Sequence, residues 1–118
     1  MQIIEQIVLP FPLSVNAAYR AVKGRSILSE RMRDWKNEAG WMLNSQRFHR
    51  FTGPVEIEIS LTPTDRRKRD IDNLFKCVLD LLKTHKVIVD DSSEYVRKLS
   101  AEWQEGGDPC HVLIRSAA

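Results

Sequence analysis

The chain has 118 residues, 42% hydrophobic and 29% charged, with a net charge of only +2, enough for one modest core and a single domain over residues 1–118 but not for two. No apolar run approaches the roughly 20 residues that span a bilayer, and the N-terminal stretch carries Glu5 and no basic leader, so no membrane partner or signal peptide is expected and the compartment reads as cytoplasmic. Cys77 and Cys110 stand far apart, and His49, His85 and His111 are scattered, which argues for reduced thiols and against a disulfide framework, a zinc site or a local Ser-His-Asp arrangement.

Residues 2–9 are β-branched and apolar and stop at Pro10, which predicts a strand. Pro10 to Asn16, with two prolines, reads as an irregular loop, and Tyr19 to Leu28 as a short hairpin around Lys23-Gly24-Arg25. Ser29 then fits a helix N-cap, with Glu30 in the first turn where the dipole favours an anion. Met32, Trp35, Ala39, Met42 and Gln46 recur at helical spacing and predict a helix over about 30–47, with Gly40 costing it about 1 kcal/mol relative to alanine. Trp41 lies off that stripe.

Residues 55–61 alternate strictly between apolar and polar types, the mark of a half-buried strand. A second helix is expected over about 71–84, its apolar stripe made by Ile71, Leu74, Phe75, Val78, Leu81 and Leu82. Asp72, Lys76 and Asp80 are each four apart and should share another of its faces. Two further strands follow, Tyr95 to Trp103 and Cys110 to Ile114. The fold class is therefore α+β: one mixed sheet, β-α-β-α-β-β with a possible extra hairpin, both helices on one face and the last two strands paired antiparallel.

The chemistry concentrates in Asp70-Ile71-Asp72-Asn73-Leu74-Phe75-Lys76, preceded by Arg66-Arg67-Lys68-Arg69 and answered by Asp90-Asp91. Crowded carboxylates repel one another unless something positive sits between them. A magnesium ion does that with two or three carboxylates and several waters. If Asp70 and Asp72 are extended, their side chains point the same way. For Asp91 to join them, the segment 85–91 must double back along a helix about 21 Å long, a distance about seven extended residues can cover.

Residues 65–69 carry a local charge of +3 and suit a phosphate backbone. The expected activity is that of a magnesium-dependent nuclease. Each feature also has a plainer explanation: an aspartate at a helix start is commonly a cap, and Asp72, Lys76 and Asp80 could be surface ion pairs. A non-catalytic nucleic-acid binder with a structural cation, or a phosphatase acting on a small phosphoester, are the rival readings.

Over Asp65 to Lys76, on through Asp80 to Asp90-Asp91, and in Leu9-Pro-Phe-Pro-Leu-Ser-Val-Asn16 with Tyr19-Arg20, the chain resembles the RusA family of Holliday-junction resolvases. The resemblance implies a homodimer that cleaves four-way junction DNA by paired symmetric nicks, using magnesium, for which manganese is expected to substitute, and no nucleotide cofactor. It implies that Asp70, Asp72 and Asp91 hold the metal and that Lys76 is the catalytic lysine, with Asn73, Asp80 and Asp90 in support. Arg66, Arg67, Lys68 and Arg69, with Asn16 and Arg20, would contact DNA. The family often has consecutive prolines where this chain has Pro12-Leu13.

Overall fold

The computed structural model describes residues 2–117, and the side chains of all of them except residues 18–22 and 25–27. Its centre is β4 (Val55–Leu61), whose alternation puts Val55, Ile57, Ile59 and Leu61 in the core and Glu56 and Glu58 on the opposite face. There Arg115 joins them, 2.9 Å from Glu58 and 3.8 Å from Glu56. Burial along its whole length gives β4 a neighbour on each side. β6 (Cys110–Ser116) pairs with it antiparallel and β5 (Val96–Trp103) parallel, and β1 (Ile4–Leu9) completes the order β1-β6-β4-β5.

The mixed sheet is as expected from the pattern, but its strand order is not. The last two strands do not pair with each other, because β4 lies between them. The backbone N–H of Gln104 donates to Leu61 and that of Thr62 to Pro109, so the 104–109 turn straddles the end of β4.

The hairpin forms where expected, as β2 (Tyr19–Val22) and β3 (Arg25–Leu28), but as a two-stranded sheet of its own. Positive φ at Lys23 (51°) and Gly24 (76°) makes the tight turn whose twist matches its strands. A one-turn helix, α1 (Val15–Ala18), precedes it, so Asn16 is helical rather than in irregular loop.

Helix α2 (Glu30–Asn44) starts at Ser29, whose hydroxyl accepts from the Met32 N–H at 3.1 Å, and ends short of residue 47. Leu43, not Met42, is the fully buried residue of its last turns. A Cβ added at Gly40 would lie 3.0 Å from Nε2 of His85, so the glycine there allows a close approach between helices. Trp35 is buried and donates its indole N–H to Pro10 O, whereas Trp41 is 79% exposed.

The second predicted helix is interrupted. Ile71–Asn73 is a 3-10 turn, Leu74 bends the chain, and α3 begins at Phe75 and runs to Thr84. Both long helices bury against the same sheet face, meeting Ile7, Leu9, Ile57, Ile59, Val112 and Ile114 in one core. Cys77 and Cys110 are buried there as free thiols, their pKa values pushed up by burial to about 11 and about 12.

One strand edge is closed by a side chain. The Gln46 amide accepts from the Val8 N–H at 2.8 Å and donates to Val8 O at 2.7 Å, and also donates to Met42 O. It joins the end of α2 to β1. Gln46→Ala is expected to destabilise the protein by about 1–3 kcal/mol, read as a lower urea midpoint with an unchanged slope.

Candidate active site and DNA-binding cleft

β1, β4 and β5 run in one direction, since β1 and β4 are both antiparallel to β6. Their C-terminal ends therefore lie at the same end of the sheet, which brings three loops together: 10–14 after β1, 62–70 after β4, and 104–109 after β5. The first two form the walls of a cleft of about 490 Å³. Asn16 and Arg31 lie on the side of the first loop and the helices that follow it. Arg67, Lys68, Arg69, Asp70 and Asn73 come from the other side.

Asp65 organises the basic loop. It accepts both terminal guanidinium nitrogens of Arg69, at 2.9 and 3.0 Å, together with the N–H of Arg67 at 2.8 Å and that residue's Nε at 3.2 Å. These bonds, led by Arg69, hold the Asp65 carboxyl far below the usual carboxylate range. Arg69 is thereby drawn inward to lie 5.1 Å over the ring of Phe11, while Arg66 and Lys68 remain exposed.

Asp70 occupies the N-cap position of the 3-10 turn with extended backbone (φ −88°, ψ 121°) but makes no capping bond. Asp70 lines the cleft instead. Asp72 lies inside the 3-10 turn, so the two aspartates are not the extended pair expected from the sequence. Asp72 lies outside α3, and of the three residues spaced four apart Lys76 and Asp80 form an ion pair, at 3.1 Å.

Asp91 does return to the start of α3. Lys86, in the left-handed region at φ 59°, reverses the chain after the helix, and Val87 and Ile88 anchor the return in the core. The Asp91 carboxylate then sits 3.4 Å from Lys76 Nζ and 3.8 Å from Lys83 Nζ, and Lys83 also pairs with Asp90 at 3.1 Å. The result is an alternating row: Asp80, Lys76, Asp91, Lys83, Asp90. The hydrogen bond and charge of Asp80, with Asp91 adding to them, raise the Lys76 pKa, and Asp90 does the same for Lys83. The acids thereby reinforce the ammonium form that a lysine holds at neutral pH in any case.

A family model described as Endodeoxyribonuclease RusA matches residues 10–115. The chain belongs to the RusA endodeoxyribonuclease family. The Crossover junction endodeoxyribonuclease RusA of Aquifex aeolicus (strain VF5) is 30% identical over 112 residues, covering 91% of this chain and 85% of that protein. The protein of the same name from Escherichia coli (strain K12) is 36% identical over 87 residues, 73% of this chain and 72% of the relative. That of Enterobacteria phage 82 is 32% identical over the same length and with the same coverage.

Within this RusA-family chain the carboxylates form two groups. Asp70 faces the cleft with Asn73, and Asp80, Asp90 and Asp91 are held by lysines. Among the described residues, no three His, Cys, Asp or Glu side chains are drawn together closely enough to hold a metal ion. In kind, the donors suit a hard cation: Asp70, Asp72 and Asp91 offer only oxygen, as magnesium requires. Asn16, Arg67, Lys68 and Arg69 share the cleft, whereas Arg66 lines neither it nor the smaller clefts beside it. The Arg20 side chain lies outside the described residues.

Sequence reading missed Arg31, Asp65 as an organiser, and the Lys83 pairs. One signal for Arg31 was available: a cation in the first turn of a helix opposes the dipole, and so needs another reason to be there.

Because the Asp65 carboxyl titrates lower in the folded chain than unfolded, its contribution to stability is complete above an ordinary aspartate pKa of about 3.9. It is lost as pH falls through the lower folded value. Carboxyl carbon NMR should find Asp65 still ionised at about pH 3, where an unperturbed aspartate is mostly protonated. In Arg69→Gln the titration should move back towards the ordinary value.

Proposed function

We propose that this enzyme is a magnesium-dependent, structure-specific endonuclease that resolves four-way DNA junctions by paired symmetric nicks, acting as a homodimer in DNA recombination and repair. The observation that carries this reading is the cleft in which Arg67, Lys68 and Arg69 share a wall with the uncapped carboxylate of Asp70. Phosphate-binding cations and one of the three candidate metal ligands thus adjoin. The substrate is carried by the relatives, which are named as crossover junction endodeoxyribonucleases.

In this reading Asp70, Asp72 and Asp91 would hold the magnesium ion, with Asn73, Asp80 and Asp90 around them. The ion would supply Lewis-acid stabilisation of charge on a phosphate. Lys76, whose protonated form Asp80 and Asp91 favour, faces the same task from the protein side: it neutralises charge developing on the phosphate or gives a proton to the leaving oxygen. Asp80 and Asp91 also fix where its ammonium group lies. Lys68 and Arg66 hold backbone phosphates. Resolution cuts two strands of like polarity, and a twofold dimer presents two equivalent sites for them.

The test is cleavage of a synthetic mobile four-way junction beside a linear duplex, with magnesium and then with manganese. Paired nicks in the junction alone are expected. Asp70→Asn should retain junction binding and reduce cleavage by more than the roughly 100-fold that loss of an outer-shell partner costs a metal site. Tight junction binding without nicks under either metal would overturn the catalytic part of this reading, and lack of preference for the junction would overturn the substrate.

Lys68→Gln should reduce the log–log salt slope of duplex binding by about 0.9 for the phosphate contact it removes. A phosphatase acting on a small phosphoester would be indifferent to that change.

A further inference from the structure

Trp103 ends β5 in register with Leu61, on the sheet face that Leu99 and Ala101 turn towards the core. Unlike those two, Trp103 is 40% exposed. The ring is nevertheless held. Phe11 stacks on it with centroids 6.3 Å apart and planes inclined by 15°. The Arg69 guanidinium lies over Phe11 at 5.1 Å, and Asp65 grips Arg69 through two bonds. Gln104, next in the chain, ties the end of β5 to β4 by donating to the Thr62 hydroxyl at 3.0 Å.

Trp103, Phe11 and Arg69 thus form a contact series whose far end Asp65 fixes by a bidentate ion pair. Trp103 also lines a second cleft, of about 470 Å³, with Pro63, Arg67, Lys68, Arg69 and Asp70. A large, partly exposed aromatic ring thus stands beside two exposed cations and Asp70. An aromatic face flanked by cations is the arrangement that holds unstacked bases, because the cations follow the phosphates while the ring takes the place of a neighbouring base. Purely structural packing would not require the last ring in the stack to remain open to solvent.

We infer that Trp103 is a stacking platform for an unpaired DNA base, backed by Phe11 and Arg69. It is a positioning residue that engages the strand opened at a branch point and sets the adjoining phosphate against the Asp70 side of the cleft. This rests on the junction-cleaving reading. It also makes Arg69 a support of the platform rather than a loose phosphate contact.

The experiment measures binding without divalent metal to three probes: a four-way junction, a linear duplex and a short oligothymidylate. The protein carries Trp41→Phe, so that Trp103 is the exposed indole. Adding oligothymidylate or junction should quench its fluorescence. Trp103→Ala should weaken binding to both by about tenfold or more, and by less to duplex, while Trp103→Phe restores most of the loss. Should Trp103→Ala not fold, quenching in the parent and the affinity of Trp103→Phe decide the matter.

Absence of quenching, or equal losses on all three probes, would mark the ring as internal support for Phe11 and overturn the inference. A parent protein that binds and is quenched by oligothymidylate but shows no preference for the junction would keep the platform and remove the junction reading.

Discussion

The site depends on the burial of β4. A strand whose every second residue is fully buried, from Val55 to Leu61, must be flanked on both sides to satisfy its backbone as well. β6 and β5 supply the flanks, one antiparallel and one parallel. With β1 on the far side of β6, three strands point the same way, and their outgoing loops gather at one end of the sheet. Ligand sites in open sheets commonly lie beyond the carboxyl ends of parallel strands. Here this geometry brings Asn16 to Asp70 across more than fifty residues of sequence.

Around that end, unlike charges alternate in two places for two different purposes. In the basic loop one acid, Asp65, gathers two arginines, turning a run of four cations into an ordered element with Arg66 and Lys68 left outward. Beside α3 the proportions reverse: Lys76 and Lys83 separate three carboxylates that would otherwise repel. The ammonium groups there and a divalent cation are alternative answers to the same electrostatic problem. The crowding acids favour the charged form that both lysines already hold at neutral pH, which suits Lys76 to countering negative charge and not to removing protons.

What could be read from the sequence was local. The Ser29 cap, the hairpin with its Lys23-Gly24 turn, and the alternation of β4 are each encoded within a few residues, and the chain adopts them as expected. Chain length allowed Asp91 to double back towards the helix start, and it does so as far as Lys76 without forming a three-carboxylate cluster among the described residues; the means, Lys86 in a left-handed conformation, was not legible. Strand order was not legible because the short connection from Trp103 to Cys110 suggests a hairpin, whereas burial gives the central place to β4. The break at Leu74 was hidden by an apolar stripe that continues through it at helical spacing, so Asp72 was assigned to the α-helix and not to the 3-10 turn before it. The role of Asp65 was invisible for a different reason: a single acid before four cations reads as charge balance until its two oxygens are seen gripping Arg69.

The two buried thiols give the chain an internal clock. With pKa values near 11 and 12, each is a thiolate in at most on the order of one molecule in ten thousand at neutral pH, and the core shields it from reagents as well. Alkylation must therefore wait for a local opening, and its rate reports how often that opening occurs. Cys77 lies in α3 and Cys110 at the start of β6. The order in which the two become reactive records whether the helical layer lifts away before the sheet separates.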